Sequence, residues 1–171
     1  KWISDKQPFD LKIRADFTSY KDTSTQNLNN IYFSPSYTTS IAGRYRLKIG
    51  VNLTSSNDDF NVFPAISLNA PVIDGLLSAF VGAEGSLQKN TLRSLSDYNP
   101  WIRPRLLIRN AEYTRFYGGV EGAISGIDYR AEASFKLIDN LATYVLDRRT
   151  AIPQFQVAYD NGSIFTLQGS A

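Results

Sequence analysis

The sequence predicts an all-β protein, an antiparallel transmembrane β-barrel, and three observations predict it. Apolar and polar residues alternate singly through one stretch after another. Most of these stretches approach the roughly 9–11 residues that a tilted strand needs to cross a bilayer. The connections between them alternate in length, as they do where tight turns lie on one side of a membrane and loops on the other.

The first strand, Pro8 to Tyr20, sets the pattern. Phe9, Leu11, Ile13, Ala15 and Phe17 are apolar, while Asp10, Lys12, Arg14, Asp16 and Thr18 are polar. A period of two places the sets on opposite faces of a strand. A polar, turn-rich connection follows, Lys21 to Asn30. The second strand is Ile31 to Ile41, with Pro35 marking a bulge or local edge because it cannot donate to a ladder. After the short link Ala42-Gly43-Arg44, the third strand, Tyr45 to Leu53, sets Tyr45, Leu47, Ile49, Val51 and Leu53 against Arg46, Lys48, Gly50 and Asn52. A polar loop, Thr54 to Asp59, leads to a fourth strand from Phe60 to about Val72. A tight turn and a fifth strand, Leu77 to Leu87, come next. The longest break is Gln88 to Thr114. Within it TLRSLSDY reads as a short helix capped by Thr91, which Pro100 and Pro104 prevent from continuing. The sixth and seventh strands are Arg115 to Ile124 and Ile127 to Leu137, joined by Ser125-Gly126. Ile138 to Pro153 reads as a long connection with a strand extension at LATYVLD. Gln154 to Tyr159 is the eighth strand. Asp160-Asn161-Gly162 is a hairpin signal, and Ser163 opens a ninth.

Composition excludes several classes of function. Lys plus Arg number 18 and Asp plus Glu 16, so there is no basic excess to displace counterions from nucleic acid. His, Cys and Met are absent. That removes the soft and borderline metal ligands and every nucleophile system built on His or Cys, and no cofactor is expected. No apolar run reaches the roughly 20 residues of a transmembrane helix, since Asn69, Pro71, Asp74 and Gly75 interrupt the most apolar region. KWISDKQPF lacks the apolar stretch of a signal peptide, so the chain is expected to be mature or a piece of a longer one.

Alternation alone also suits a soluble sandwich or lipocalin-like barrel with its apolar face inward. Aromatics near strand ends favour the membrane: Phe9, Phe17, Tyr20, Tyr32, Phe33, Tyr45, Phe60, Phe63, Tyr113, Phe116, Tyr129 and Tyr159 fit interfacial girdles. In a membrane barrel the polar set faces the lumen: Lys12, Arg14, Asp16, Arg46, Lys48, Glu84, Arg115, Glu121, Asp128, Arg130, Glu132 and Lys136. These charges either select a solute or neutralise one another across adjacent strands; the balance of signs favours the ladder for most of them. The long loop, 88–114, carries Arg93, Tyr98, Asn99, Trp101, Arg103 and Arg105, which form either a binding patch or an interfacial anchor. Asp58-Asp59 is weak evidence for Ca²⁺, and the carboxylates Glu121 and Glu132 carry no local support for glycosidase chemistry. No catalytic or metal-binding residue is assigned.

The stretches FNVFPAISLNAPVIDG, VGAEGSLQKNTLRSLSDYNPWI, FYGGVEGAISGIDYRAEASF and FQVAYDNG resemble outer-membrane β-barrel proteins of Bacteroidota, of the kind described as TonB-dependent receptor-like. The resemblance implies an outer-membrane location and import of a bound nutrient. No plug domain or TonB box is visible, the chain ends in Gly-Ser-Ala rather than an aromatic, and about nine strands is an odd number for a bacterial barrel. The 171 residues are therefore expected to be one barrel domain or a segment of a larger one. The expected function is solute uptake as a porin-like channel or receptor-like barrel, without enzymatic activity. The alternatives are a non-transporting subunit docking other outer-membrane or periplasmic proteins, and a soluble all-β binding domain.

Overall fold

The computed structural model describes residues 9–21, 25–57, 59–103, 105–148 and 153–171. The N-terminal stretch read for a leader, Asp58 of the Asp58-Asp59 pair, and Pro104 lie outside them. One antiparallel sheet of eight strands runs in sequence order: β1 Phe9–Lys21, β2 Thr25–Ile41, β3 Tyr45–Ser56, β4 Asp59–Ile73, β5 Leu77–Gln88, β6 Ala111–Ile124, β7 Ile127–Asp147 and β8 Gln154–Ser170. A short helix, α1 Leu92–Tyr98, sits between β5 and β6. The fold is all-β and of the outer-membrane barrel type, with its two outer strands unjoined to each other.

Among the described residues the strands number eight, not nine, because Asp160-Asn161-Gly162 makes no hairpin. Asp160 pairs with Leu141 and Gly162 with Ile138, so β8 passes straight through. The irregularity falls on β7 instead, where register shifts between Ile138 and Leu141 around Asn140, whose φ of 57° is left-handed. The expected loops also shrink. Residues 25–30 and 138–147 continue β2 and β7, because Gln26–Asn30 pair with Asp16–Tyr20 and Leu141–Asp147 with Gln154–Asp160. Only residues 89–110 form a long connection among the described residues, and most of the described residues of the other three longer links of the expected pattern are strand instead.

The tight turns follow the sequence reading. Ala42-Gly43 and Ser125-Gly126 have positive φ at both residues, the geometry that matches the right-handed twist of flanking strands. Register then fixes two faces. One row of facing residues is Thr38, Lys48, Ser67, Gly82, Tyr117, Ser134 and Thr166, across β2 to β8. The adjacent row is Thr39, Leu47, Leu68, Val81, Gly118, Ala133 and Leu167. Successive residues point to opposite sides, so the sheet has one polar and one apolar face. The apolar face is open: Ile13, Phe17, Ile49, Phe60, Val62, Val81 and Phe165 are each at least half exposed. Of the expected girdle, Phe9, Phe17, Phe33, Tyr45, Phe60 and Phe116 lie exposed, while Tyr32 and Phe63 are buried with Leu87.

Two glycines let the polar face close up. The ring of Phe80 lies over Gly119 opposite it, and the ring of Tyr117 over Gly82; a Cβ on either glycine would meet ring atoms at 2.7 and 2.5 Å. Aromatic cover of a facing glycine holds register in barrel strands.

Candidate functional site

The centre of the polar face is a charged ladder built on those aromatics. Arg130 lies 4.0 Å over the Phe80 ring and Arg115 lies 4.8 Å over Tyr117. Arg115 donates to Glu84 at 3.0 Å and also to Glu132. Arg130 donates to Glu121 at 2.5 Å and to the other oxygen of Glu132 at 2.7 Å. Glu132 thus bridges two guanidiniums, and its side chain is only 10% exposed. Facing strands supply the partners: Glu84 opposes Arg115, Glu121 opposes Arg130, and Glu132 sits across from Gly119 with room to reach both. Arg130 thus binds both Glu121 and Glu132.

The other expected lumen residues share this face but not this network. Lys12 is 3.6 Å from Asp10, both well exposed. Arg14 stacks on Tyr32 at 3.9 Å and Lys136 on Tyr113 at 4.2 Å. Asp16 accepts from Lys89 at 2.5 Å. Asp128, Arg46 and Lys48 form no ion pair among the described residues. Five of the expected lumen charges on β5 to β7, Glu84, Arg115, Glu121, Arg130 and Glu132, thus neutralise one another, while Asp128 and Lys136 on β7 and Arg46 and Lys48 on β3 form no ion pair among the described residues.

Residues 89–110 cover one end of the polar face. Thr91 caps α1 by accepting from the Ser94 N–H at 3.0 Å, while Ser94 Oγ accepts from the Thr91 N–H at 2.9 Å. Pro100 follows the C-cap Asn99, as a helix end requires. Leu95, Ile102, Leu106 and Ile108 form a buried cluster with Leu28 of β2, flanked by Tyr20 of β1, Tyr144 of β7, and Phe155 and Val157 of β8. Each such side chain contributes roughly 1.5–3 kcal/mol on burial. The segment thus touches strands on both sides of itself.

Hydrogen bonds tie it on each flank. On β2, Gln26 donates to the Leu106 carbonyl at 2.8 Å and accepts from the Ile108 N–H at 3.0 Å. Asn110 donates to Asn30 and to Ser56 of β3, both at 2.8 Å. Lys89 reaches Asp16 and Thr18 on β1. On the far side, Tyr144 donates to the Leu95 carbonyl at 2.9 Å, and Phe155 exchanges backbone bonds with Trp101 and Arg103, each at 2.9 Å.

The expected loop residues divide. Arg103 donates to buried Asp147 at 2.8 Å, and Asn99 Oδ1 accepts from the Trp101 N–H at 3.0 Å. Arg93, Tyr98, Trp101 and Arg105 are exposed, with Tyr98 at 85% and Trp101 at 67%. Sequence reading missed the anchors Gln26, Asn30, Lys89, Asn110 and Tyr144. For Gln26 and Asn30 the signal was amide side chains in strand register, concealed while 21–30 was read as a loop.

An antiparallel wall with one apolar outer face, one charged face and an inserted connection defines a β-barrel of the outer-membrane type. Among solved structures the chain is similar to one described as the copper transporter OprC, with a TM-score of 0.61 at 10% identity. The match covers 81% of this chain and 25% of that one, so the chain spans about a quarter of the neighbour's length. No protein-family model and no curated protein matches the chain.

Proposed function

We propose that this chain is wall and constriction of an outer-membrane barrel that passes a polar solute. It is a segment of a larger barrel, has no enzymatic activity, and has outer-membrane lipid against its apolar face. The observation that carries the reading is the 89–110 segment, which folds over the charged face and is anchored to both flanks. A wall built only for support needs no connection laid across its polar side. The open apolar face weighs against a soluble domain, since contiguous apolar patches of this size are rare on soluble monomers. The copper named for the structural neighbour is not carried over, because the chain has no His, Cys or Met to bind it as a soft cation. Nutrient uptake of the TonB-dependent kind, in a Bacteroidota outer membrane, is compatible with this reading. Exposed Tyr98 and Trp101 favour a second one, in which the loop docks a partner protein and the barrel does not conduct.

Removing the constriction tests the proposal. Gln88 and Ala111 face each other, so an Asn-Gly turn can replace residues 89–110 without disturbing the hairpin. In planar bilayers the whole barrel that contains this chain is expected to conduct several-fold more with the connection shortened than with it intact. Equal conductance, or silence from both, would refute the constriction.

A further inference from the structure

The polar face is not evenly neutralised. Glu84, Glu121 and Glu132 are all engaged by Arg115 and Arg130 on β5 to β7. On β3, Arg46 and Lys48 are left without an ion pair among the described residues. They are two positions apart on one strand, so they share a face and sit about 7 Å apart along it. Their surroundings are hydroxyls and an amide. Lys48 faces Thr38 on β2 and Ser67 on β4; Arg46 faces Ser40 and Asn69. These side chains line an open recess of about 450 Å³. The nearby carboxylates, of which Asp10 and Glu84 line a recess that Lys48 shares, each have another cation as ion-pair partner. Glu121, which accepts from Asn69 at 3.0 Å, is held by Arg130, and Glu84 by Arg115. Asp10 is beside Lys12.

We infer that Arg46 and Lys48 form a binding subsite for an oxyanion, a phosphate or carboxylate group of a small solute. The guanidinium offers a two-pronged contact to such a group and the ammonium a point charge. Thr38, Ser40 and Ser67 supply hydroxyl donors without adding negative charge. The recess exceeds what one phosphate fills, so the group belongs to a larger molecule or shares the space with water. The inference deepens the transport reading and rests on it for its consequence, anion preference along the pathway.

Folded protein in detergent is titrated with inorganic phosphate and, separately, with succinate, with tetramethylammonium as the cationic comparison. Saturable binding of phosphate or succinate is expected, and none of tetramethylammonium. The double variant Arg46→Gln/Lys48→Gln should weaken it about tenfold or more, the loss of two charge-assisted contacts, while Lys21→Gln at the far end of β1 should leave it unchanged. Stronger binding of phosphate identifies a phosphoryl group; stronger binding of succinate, a carboxylate. Absence of saturable binding by either anion, or equal binding by the double variant, overturns the inference. Bilayer recording separates the two readings. Silence with anion binding intact refutes transport and leaves the subsite standing, whereas conductance without anion binding refutes the subsite alone.

Discussion

Ile49→Arg is expected to destabilise the inserted barrel by about 2–4 kcal/mol, and Ile41→Arg by only about 0–1. Both positions lie on the apolar face, and both are half exposed. They differ in depth. Ile49 is near the middle of a ten-residue span counted from the tight turn, whereas Ile41 is the last residue of β2, beside that turn. Burying a cation costs most at the hydrocarbon midplane and little at the headgroups. A protein core has no such gradient along a strand. Urea titration of folding into lipid vesicles measures both values, and equal costs at the two sites would oppose a membrane setting.

Glu132→Ala should cost about 2–3 kcal/mol. The substitution leaves Arg115 and Arg130 facing each other without the carboxylate that bridges them. Breaking a buried pair by deleting one partner costs about 3–5 kcal/mol, and the arginines here are partly exposed, at 31% and 45%, which reduces the penalty. Glu132→Gln keeps an acceptor and should cost about half as much. Lys12→Gln removes only an exposed contact and should change stability by less than about 0.5 kcal/mol. The same urea titration ranks the three. A cost for Glu132→Ala no larger than for Lys12→Gln would show that the ladder does not hold β6 to β7.

The strand faces were legible because period-two alternation depends on local chemistry alone: every polar residue named from the first strand to the seventh falls on one face. The Thr91 cap was legible for the same reason. What was not legible depends on partners distant in sequence. Asp160-Asn161-Gly162 carries a strong turn signal, yet Leu141 and Ile138 across from it keep the strand running. Residues 25–30 look like a polar loop because their partners, Asp16 to Tyr20 and the inserted segment, consume amides and hydroxyls rather than apolar groups. Which charges pair, as Glu84, Arg115, Glu121, Arg130 and Glu132 do, and which stay without an ion pair, as Arg46 and Lys48 do, depends on strand register. A list of signs cannot supply it.

The assignment of lipid and lumen faces is tested most directly by nitroxide labels at positions 48 and 49, on protein reconstituted in vesicles. Neighbours along β3 point to opposite sides. Residue 49 is expected to collide with lipid-dissolved oxygen and not with a water-soluble nickel chelate. Residue 48 is expected to show the reverse. A label at 49 shielded from both reagents would place Ile49 inside packed protein and contradict the barrel wall.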